Sequence, residues 1–330
     1  ARRHSGNGDS SALRAITTAR STSAASHNGT LPTREPSNGL RTSITSPLPD
    51  HAVPAKGIGV TAGALFDMNT DDTDLVTNAR RRHPYLEPNA RGEFIAFAHR
   101  GGTGHAPENT LAAFRHAYDV GYRYLETDVH ATTDGELVAF HDEDLDRTCG
   151  RPGRIDSMKW ADVASARVGG VEPIPRLVDL LEEFPDARFN IDAKSDAGVQ
   201  PLLAILDSMN ALNRVCIGSF SHKRLVRVRE HFGDRVCTSA SPLEVTRWLG
   251  GSVPAEPDCF QVPVRQAAIN VVSKRTVARA QKSGRAVHVW TIDEPAEMQR
   301  LIDLGVDGIM TDDVLALHRV SKINGLWREP

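Results

Sequence analysis

Two short runs carry the residues best suited to chemistry. Tyr124-Leu-Glu126-Thr-Asp128-Val-His130 alternates with a period of two, so Glu126 and Asp128 project from one face of a strand. Two carboxylates that close repel. Both stay ionised where a divalent cation sits between them, and carboxylate oxygens are hard ligands suited to Mg²⁺ or Ca²⁺. For this pair alone, a solvated strand face is the alternative. Phe189-Asn190-Ile-Asp192-Ala-Lys194 alternates in the same way, with Asn190, Asp192 and Lys194 on one face of a strand otherwise suited to burial. A buried, unpaired carboxylate or ammonium is costly, so each needs a partner or a ligand. Asp192 as a third metal ligand and Lys194 reaching a phosphate would satisfy both, and an Asp192–Lys194 ion pair is the alternative.

Two imidazoles stand at the ends of neighbouring apolar runs: His99 in Phe94-Ile-Ala-Phe-Ala-His99-Arg100-Gly101-Gly102, and His141 in Val138-Ala-Phe-His141-Asp142. Polar groups at the C-terminal ends of strands occupy the position where barrel enzymes hold their catalysts. Alone, His99 reads equally well as a structural histidine. Two histidines flanking a metal-bound group can divide the work of base and acid, since imidazole titrates near neutrality. His288 shares strand parity with Trp290 and is expected near the same pocket, and Gln261 is expected to point into the interior. His83, His116, His222, His231 and His318 read as surface or packing residues.

These residues need a scaffold. From Phe94 onward, short β-rich runs alternate with amphipathic stretches, the pattern of repeated β/α units. Strands are expected at 94–99, 124–131, 137–141, 188–194, 214–220, 235–240, 259–264, 286–292 and 307–311, and helices at 110–120, 176–184, 198–209, 222–231, 243–249, 274–283 and 295–304. The fold this implies is α/β, a TIM-type (β/α)8 barrel, with an open doubly wound sheet as the alternative. Between the second and third strands only Thr132 to Glu136 intervene, too short for a parallel crossover, so an antiparallel hairpin turning at Asp134-Gly135 is expected there. A four-residue loop at 132–135 would set Glu126 opposite His141 and Asp128 opposite Ala139. Asn109 is the expected N-cap of the first helix, with Gly121 just past its end.

Composition narrows the partners. The chain has 330 residues, 40% of them hydrophobic, and a formal net charge of −3, so no global positive field recommends nucleic acid or anionic lipid as a partner. No run approaches a membrane span or a secretory core, so no stable membrane insertion is expected. Four cysteines at 149, 216, 237 and 259 form no CxxC pair and have no nearby histidine at zinc spacing, which argues against a structural metal knot. Three read as small core hydrophobes and Cys149, in a loop, as the more reactive one. The cysteine pattern implies a reducing compartment, and a cytoplasmic location is expected. Residues 1–90 read as a disordered or linker extension, 91–321 as the barrel and 322–330 as a tail. The Ser- and Arg-rich first 48 residues resemble a transit peptide. Asp71, Asp72 and Asp74 lack the glycine and distal glutamate of a calcium loop.

Taken together, His99-Arg100-Gly101, Pro107-Glu108-Asn109-Thr110, Glu126-x-Asp128, Asp134-Gly135 and His141-Asp142 resemble the glycerophosphodiester phosphodiesterase family. Downstream, Asn190-Ile-Asp192-Ala-Lys194, Gly218-Ser219-Phe220, Val289-Trp290-Thr291 and Gly308-Ile-Met-Thr311-Asp312 are similar to it as well, so the likeness runs from about Phe94 to Val320. The resemblance implies a phospholipase C-like barrel that hydrolyses glycerophosphodiesters to glycerol 3-phosphate and an alcohol with a divalent cation. It puts His99 and His141 at the acid/base positions, Glu126, Asp128 and Asp192 at the metal positions, Arg100 and Lys194 at phosphate, and Trp290 near the substrate. It also implies a glycerol hydroxyl as nucleophile, through a cyclic phosphate. Asp192 stands where the family more often has glutamate, and Asp313-Val314 where many members have Arg-Pro; residues 146–174 form a short insertion. A lysolipid or sphingolipid hydrolase, and an inactive phosphodiester sensor, are the rival readings.

Overall fold

In the computed structural model residues 83–329 are described. The sheet contains β1 (Ile95–His99), β2 (Tyr124–Ala131), β3 (Leu137–Ala139), β4 (Arg188–Ala193), β5 (Val215–Gly218), β6 (Cys237–Thr238), β7 (Cys259–Pro263), β8 (Ala286–Trp290) and β9 (Gly308–Thr311). Its order is β6-β5-β4-β2-β1-β9-β8-β7, with β3 paired to β2 from the side. The neighbours along that path run parallel. A parallel bridge between Ser239 and Cys259 joins the two ends, so the strands close into a near-complete barrel rather than an open sheet. That seam is the barrel's weakest pairing, because β6 has two residues and meets β7 through one bridge.

Helices α1 (Leu111–Val120), α2 (Leu177–Glu183), α3 (Val199–Ser208), α4 (His222–Phe232), α5 (Pro242–Leu249), α6 (Lys274–Lys282), α7 (Pro295–Leu304) and α8 (Val314–Ile323) surround it. Each buries an apolar stripe, such as Ala113, Phe114 and Ala117 of α1, against the outward faces of the strands. The start of α1 corrects the expected cap: Thr110, whose Oγ1 accepts from the Ala113 amide at 3.2 Å, is the N-cap. Asn109 instead adopts a φ of 57° and turns its side chain toward β2. Helix α8 has no counterpart among the expected helices. Asp313, one of the two residues standing where many members have Arg-Pro, caps it by accepting from the Ala316 amide at 2.8 Å.

The hairpin of β2 and β3 is antiparallel as expected, but its register differs by one residue. Val129 faces Ala139 and Ala131 faces Leu137, so Asp128 lies opposite Phe140, whose amide donates to its carbonyl at 2.9 Å. The turn takes an extra residue because the Thr132 amide bonds to the Glu136 carbonyl at 2.9 Å, inside which Gly135 supplies a φ of 89°. A one-residue slip changes which residues oppose each other. Glu126 and His141 are therefore not a cross-strand pair.

Two expected boundaries move. His83–Ala90 are folded: Tyr85 and Leu86 are buried under the N-terminal end of the barrel, Tyr124 Oη donates to the Tyr85 carbonyl at 2.5 Å, and Asn89 Nδ2 donates to the Asp307 carbonyl at 2.9 Å. At the other end, Trp327 packs edge-on against Tyr122 with ring centroids 5.1 Å apart, so the tail is partly anchored. The expected linker, the transit-like segment and Asp71, Asp72 and Asp74 lie outside the described residues. Among the described residues no helix is long and apolar enough to cross a membrane.

Candidate active site

Barrel register brings the candidate residues together at the C-terminal rim. His99 ends β1 beside Glu126 of β2, and Asp128 pairs with Asp192 of β4. All eight residues of β2 are buried, so Glu126 and Asp128 lie inside protein and not on a solvated face. The conditions that made a polar strand face informative are met: buried carboxylates persist here because they have partners.

Asp128 is the hub. Lys194 Nζ lies 2.7 Å from its Oδ1, Arg100 Nε 3.1 Å from its Oδ2, and Asn109 Nδ2 donates to Oδ2 at 3.3 Å. Burial opposes its charge, but Lys194 and Arg100 outweigh it and hold the carboxyl well below the usual range. Lys194 also pairs with Asp192 Oδ2 at 2.7 Å, so the Asp192–Lys194 ion pair posed as an alternative does form. Asp192 Oδ1 is nevertheless buried without a hydrogen-bond partner. Arg100 adopts a left-handed φ of 53°, a strained backbone costing about 1–3 kcal/mol, and thereby aims its amide at Glu126 Oε2, 3.0 Å away.

Each histidine is oriented by a carboxylate. His99 Nδ1 lies 2.7 Å from Asp312 Oδ1, and His141 Nδ1 lies 2.7 Å from Asp142 Oδ1. An Nδ1–H donated to carboxylate fixes the tautomer and leaves Nε2 to exchange protons. Nε2 of His99 lies 3.8 Å from Glu126 Oε2. Burial disfavours the His99 imidazolium, yet Glu126 and Asp312 raise its pKa overall. Arg147, from the 146–174 insertion, bridges Asp142 at 2.5 Å and Glu108 at 2.6 Å, and Glu108 also accepts from Arg100 at 3.0 Å. The insertion is thus tied to the histidine–aspartate pair. Its Ile155, Val163 and Ile174 pack in one apolar cluster with Val138, Phe140 and Leu145 of the chain before it.

Trp290 ends β8 and meets Phe220 edge-on at 5.9 Å; Lys194 Nζ lies 5.8 Å from the Phe220 ring centre. Gln261 does point inward and donates to Asn190 Oδ1 at 2.8 Å. His288 departs from expectation. Though it shares parity with Trp290, it is fully buried deeper in the barrel and bonds to Asn89 Oδ1 at 2.9 Å. Cys149 is not activated either, since burial pushes its thiol pKa up.

The profile of the glycerophosphoryl diester phosphodiesterase family matches residues 99–316, the segment that supplies nearly all of this constellation. The chain belongs to this family of enzymes. It is 40% identical over 255 residues to a probable glycerophosphodiester phosphodiesterase 2 of Mycobacterium tuberculosis, covering 74% of this chain and 97% of the relative. A lysophospholipase D of Homo sapiens is 28% identical over 258 residues, covering 65% and 82% of the two chains. A phosphodiesterase of Oleispira antarctica, solved with the product sn-glycerol-3-phosphate, superposes with a TM-score of 0.60 at 20% identity over 71% of this chain and 98% of its own, which shows a shared fold.

Asp312, Asp142, Glu108, Asn109, Arg147 and Phe220 were not assigned to the site by sequence reasoning. The His141-Asp142 adjacency was a usable signal, and Thr311-Asp312 ends the strand next to β1.

The donor set suits a hard divalent cation. Glu126, Asp128 and Asp192 are all buried and supply oxygens, one of them without a partner. Burial, then the neighbouring Asp128, raise the Glu126 pKa to about 7. Since the folded value exceeds the unfolded one, this group's contribution to stability is full below the ordinary carboxylate range and is lost as pH rises through about 7. A cation that needs the ionised carboxylate reverses the trend. Adding Mg²⁺ or Ca²⁺ is therefore expected to raise Tm more at about pH 8 than at about pH 5.5, and a thermal shift of equal size at both pH values would count against Glu126 as a ligand.

Proposed function

We propose that the chain hydrolyses glycerophosphodiesters to sn-glycerol 3-phosphate and an alcohol, using a divalent cation held by Glu126, Asp128 and Asp192. The observation that carries this reading is the pair of histidine–aspartate dyads set beside buried carboxylates: His99 next to Glu126, and His141 close enough to Asp128 to help lower its pKa. A bound Mg²⁺ or Ca²⁺ would supply charge neutralisation and polarisation of the phosphodiester.

The chain's own residues do the rest. Burial disfavours the Lys194 ammonium, but Asp192 and Asp128 more than offset this and keep it charged. With Arg100 it offers positive charge to the phosphoryl oxygens. The raised pKa of His99 suits the proton donor. His141, steadied by Asp142, takes the proton from the nucleophile. A glycerol hydroxyl of the substrate is already held near its phosphorus, so attack is intramolecular. That attack forms a cyclic phosphate and expels the alcohol, which His99 protonates; water, with the proton roles exchanged, then opens the ring. Trp290 and Phe220 give the glycerol carbons an apolar wall.

The rival substrate class is lysolipid, favoured by the exposure of Phe220 and by the lysophospholipase D relative. Glycerophosphocholine and lysophosphatidylcholine offered side by side separate the two. The kcat/KM is expected to be at least about 10-fold higher for glycerophosphocholine, roughly 1.4 kcal/mol in transition-state binding. A preference for the lysolipid would transfer the assignment to that class. Binding of both without release of product would make the protein a sensor.

A further inference from the structure

Three cysteines that look like scattered core hydrophobes converge in the barrel interior. Cys216 of β5, Cys237 of β6 and Cys259 of β7 are fully buried, and their Sγ atoms all lie within 4.8 Å of one another. The Cys216 and Cys259 sulfurs are 3.9 Å apart. Zinc–sulfur bonds of about 2.3 Å in a tetrahedron place sulfurs about 3.8 Å apart. The absent CxxC pair that argued against a metal in the sequence does not apply here, because successive barrel strands each contribute one ligand.

A candidate fourth donor stands on the next strand, its ring nitrogens outside the 4.8 Å that spans the three sulfurs. His288 of β8 is fully buried and its Nε2 lies 2.9 Å from Asn89 Oδ1. An amide oxygen can only accept, so Nε2 carries the hydrogen and Nδ1 the lone pair. That Nδ1 is buried without a hydrogen-bond partner. One imidazole nitrogen fixed by an oxygen acceptor and the other left open is how a metal-bound histidine is held. His288 stands on β8, which pairs directly with β7, the strand that carries Cys259. Tyr85 packs in the same cluster, and its buried Oη likewise has no partner. A buried polar atom left without a partner is costly, so it points to a ligand that would satisfy it.

We propose that Cys216, Cys237, Cys259 and His288 Nδ1 form a structural Zn²⁺ site inside the barrel, sharing no residue with the carboxylate site at its mouth. Thiolate and imidazole suit zinc and are poor ligands for Mg²⁺ or Ca²⁺, so ligand type sorts the metals between the two sites. Binding releases three thiol protons and leaves a complex of net charge −1, to which the Tyr85 hydroxyl can donate. The ligands come from β5 to β8 and flank the single Ser239–Cys259 bridge, so zinc would fasten the barrel where its backbone pairing is thinnest. The ligands are fully buried, so the ion must enter as the chain folds.

The test uses the full chain, expressed with zinc and dialysed against a chelator that strips the carboxylate site. X-ray absorption is expected to show about one zinc per chain with three sulfurs at about 2.3 Å and one nitrogen at about 2.0 Å. Refolding with Co²⁺ should give thiolate-to-cobalt charge-transfer absorption, which C237S or H288A weakens or removes. Should those variants fail to fold, the wild-type absorption spectrum decides alone. Only trace zinc after expression and refolding, or zinc ligated by oxygen without sulfur, would overturn the proposal.

Discussion

H99A is expected to lower kcat for glycerophosphocholine by about 10²- to 10⁴-fold, and H141A by a similar factor, because in the proposed mechanism each removes a proton-transfer group. The loss should fall on kcat more than on KM, since the proposed substrate contacts of Arg100, Lys194 and Trp290 are untouched. Neither side chain is part of the apolar core, so far-UV circular dichroism and the unfolding midpoint should stay near wild type. H99A leaves Asp312 without its imidazole partner, and H141A leaves Asp142 still held by Arg147. The first variant should therefore also show the larger change in pH profile. Activity at the wild-type level in either variant would remove that histidine from the mechanism.

D128A is the second large effect, and here stability falls along with activity. Removing this carboxylate strips a partner from Lys194, Arg100 and Asn109 at once, leaving the two cations only Asp192 and Glu108, and the loss is expected to approach the cost of a broken buried ion pair, about 3–5 kcal/mol. The Asp128 pKa is depressed, so its contribution is present above the ordinary carboxylate range and is lost as pH falls toward the folded value. Urea unfolding at neutral pH should thus show the deficit in full, and it should shrink in strong acid. D128N keeps the side-chain shape and should recover part of the stability while remaining inactive. An unchanged urea midpoint in D128A would mean that this network does not hold the rim together.

Much of this site could be read from residue order. Period-two alternation placed Glu126 with Asp128 and Asn190 with Asp192 and Lys194, because residues two apart on a strand share a face. Which strand lay beside which could not be read that way. The pairing of Asp128 with Asp192, and of His99 with Glu126, depends on sheet order, which no local pattern encodes. The hairpin register slipped by one because the turn is closed by Thr132 and Glu136 and not by Asp134-Gly135 alone. Asn109 read as a cap because asparagine often is one; Thr110, also a favoured cap, takes that place and leaves Asn109 to serve Asp128.

The cysteines show the same limit at longer range. Residues 216, 237, 259 and 288 are 21 or more positions apart from one another in the chain. Closure of the barrel sets them on adjacent strands, and spacing rules drawn from zinc knuckles do not describe that geometry. His83–Ala90 escaped notice for a different reason: the segment is short and mixed in composition, and its order comes from Tyr85 and Leu86 entering the end of the barrel, a tertiary contact with no periodic trace.

The most direct measurement is release of sn-glycerol 3-phosphate from glycerophosphocholine by the full chain after chelation, before and after Mg²⁺ or Ca²⁺ is returned. The account predicts negligible release in chelator and restored turnover with the cation. Full turnover in excess chelator would contradict it, since Glu126, Asp128 and Asp192 would then hold no catalytic metal.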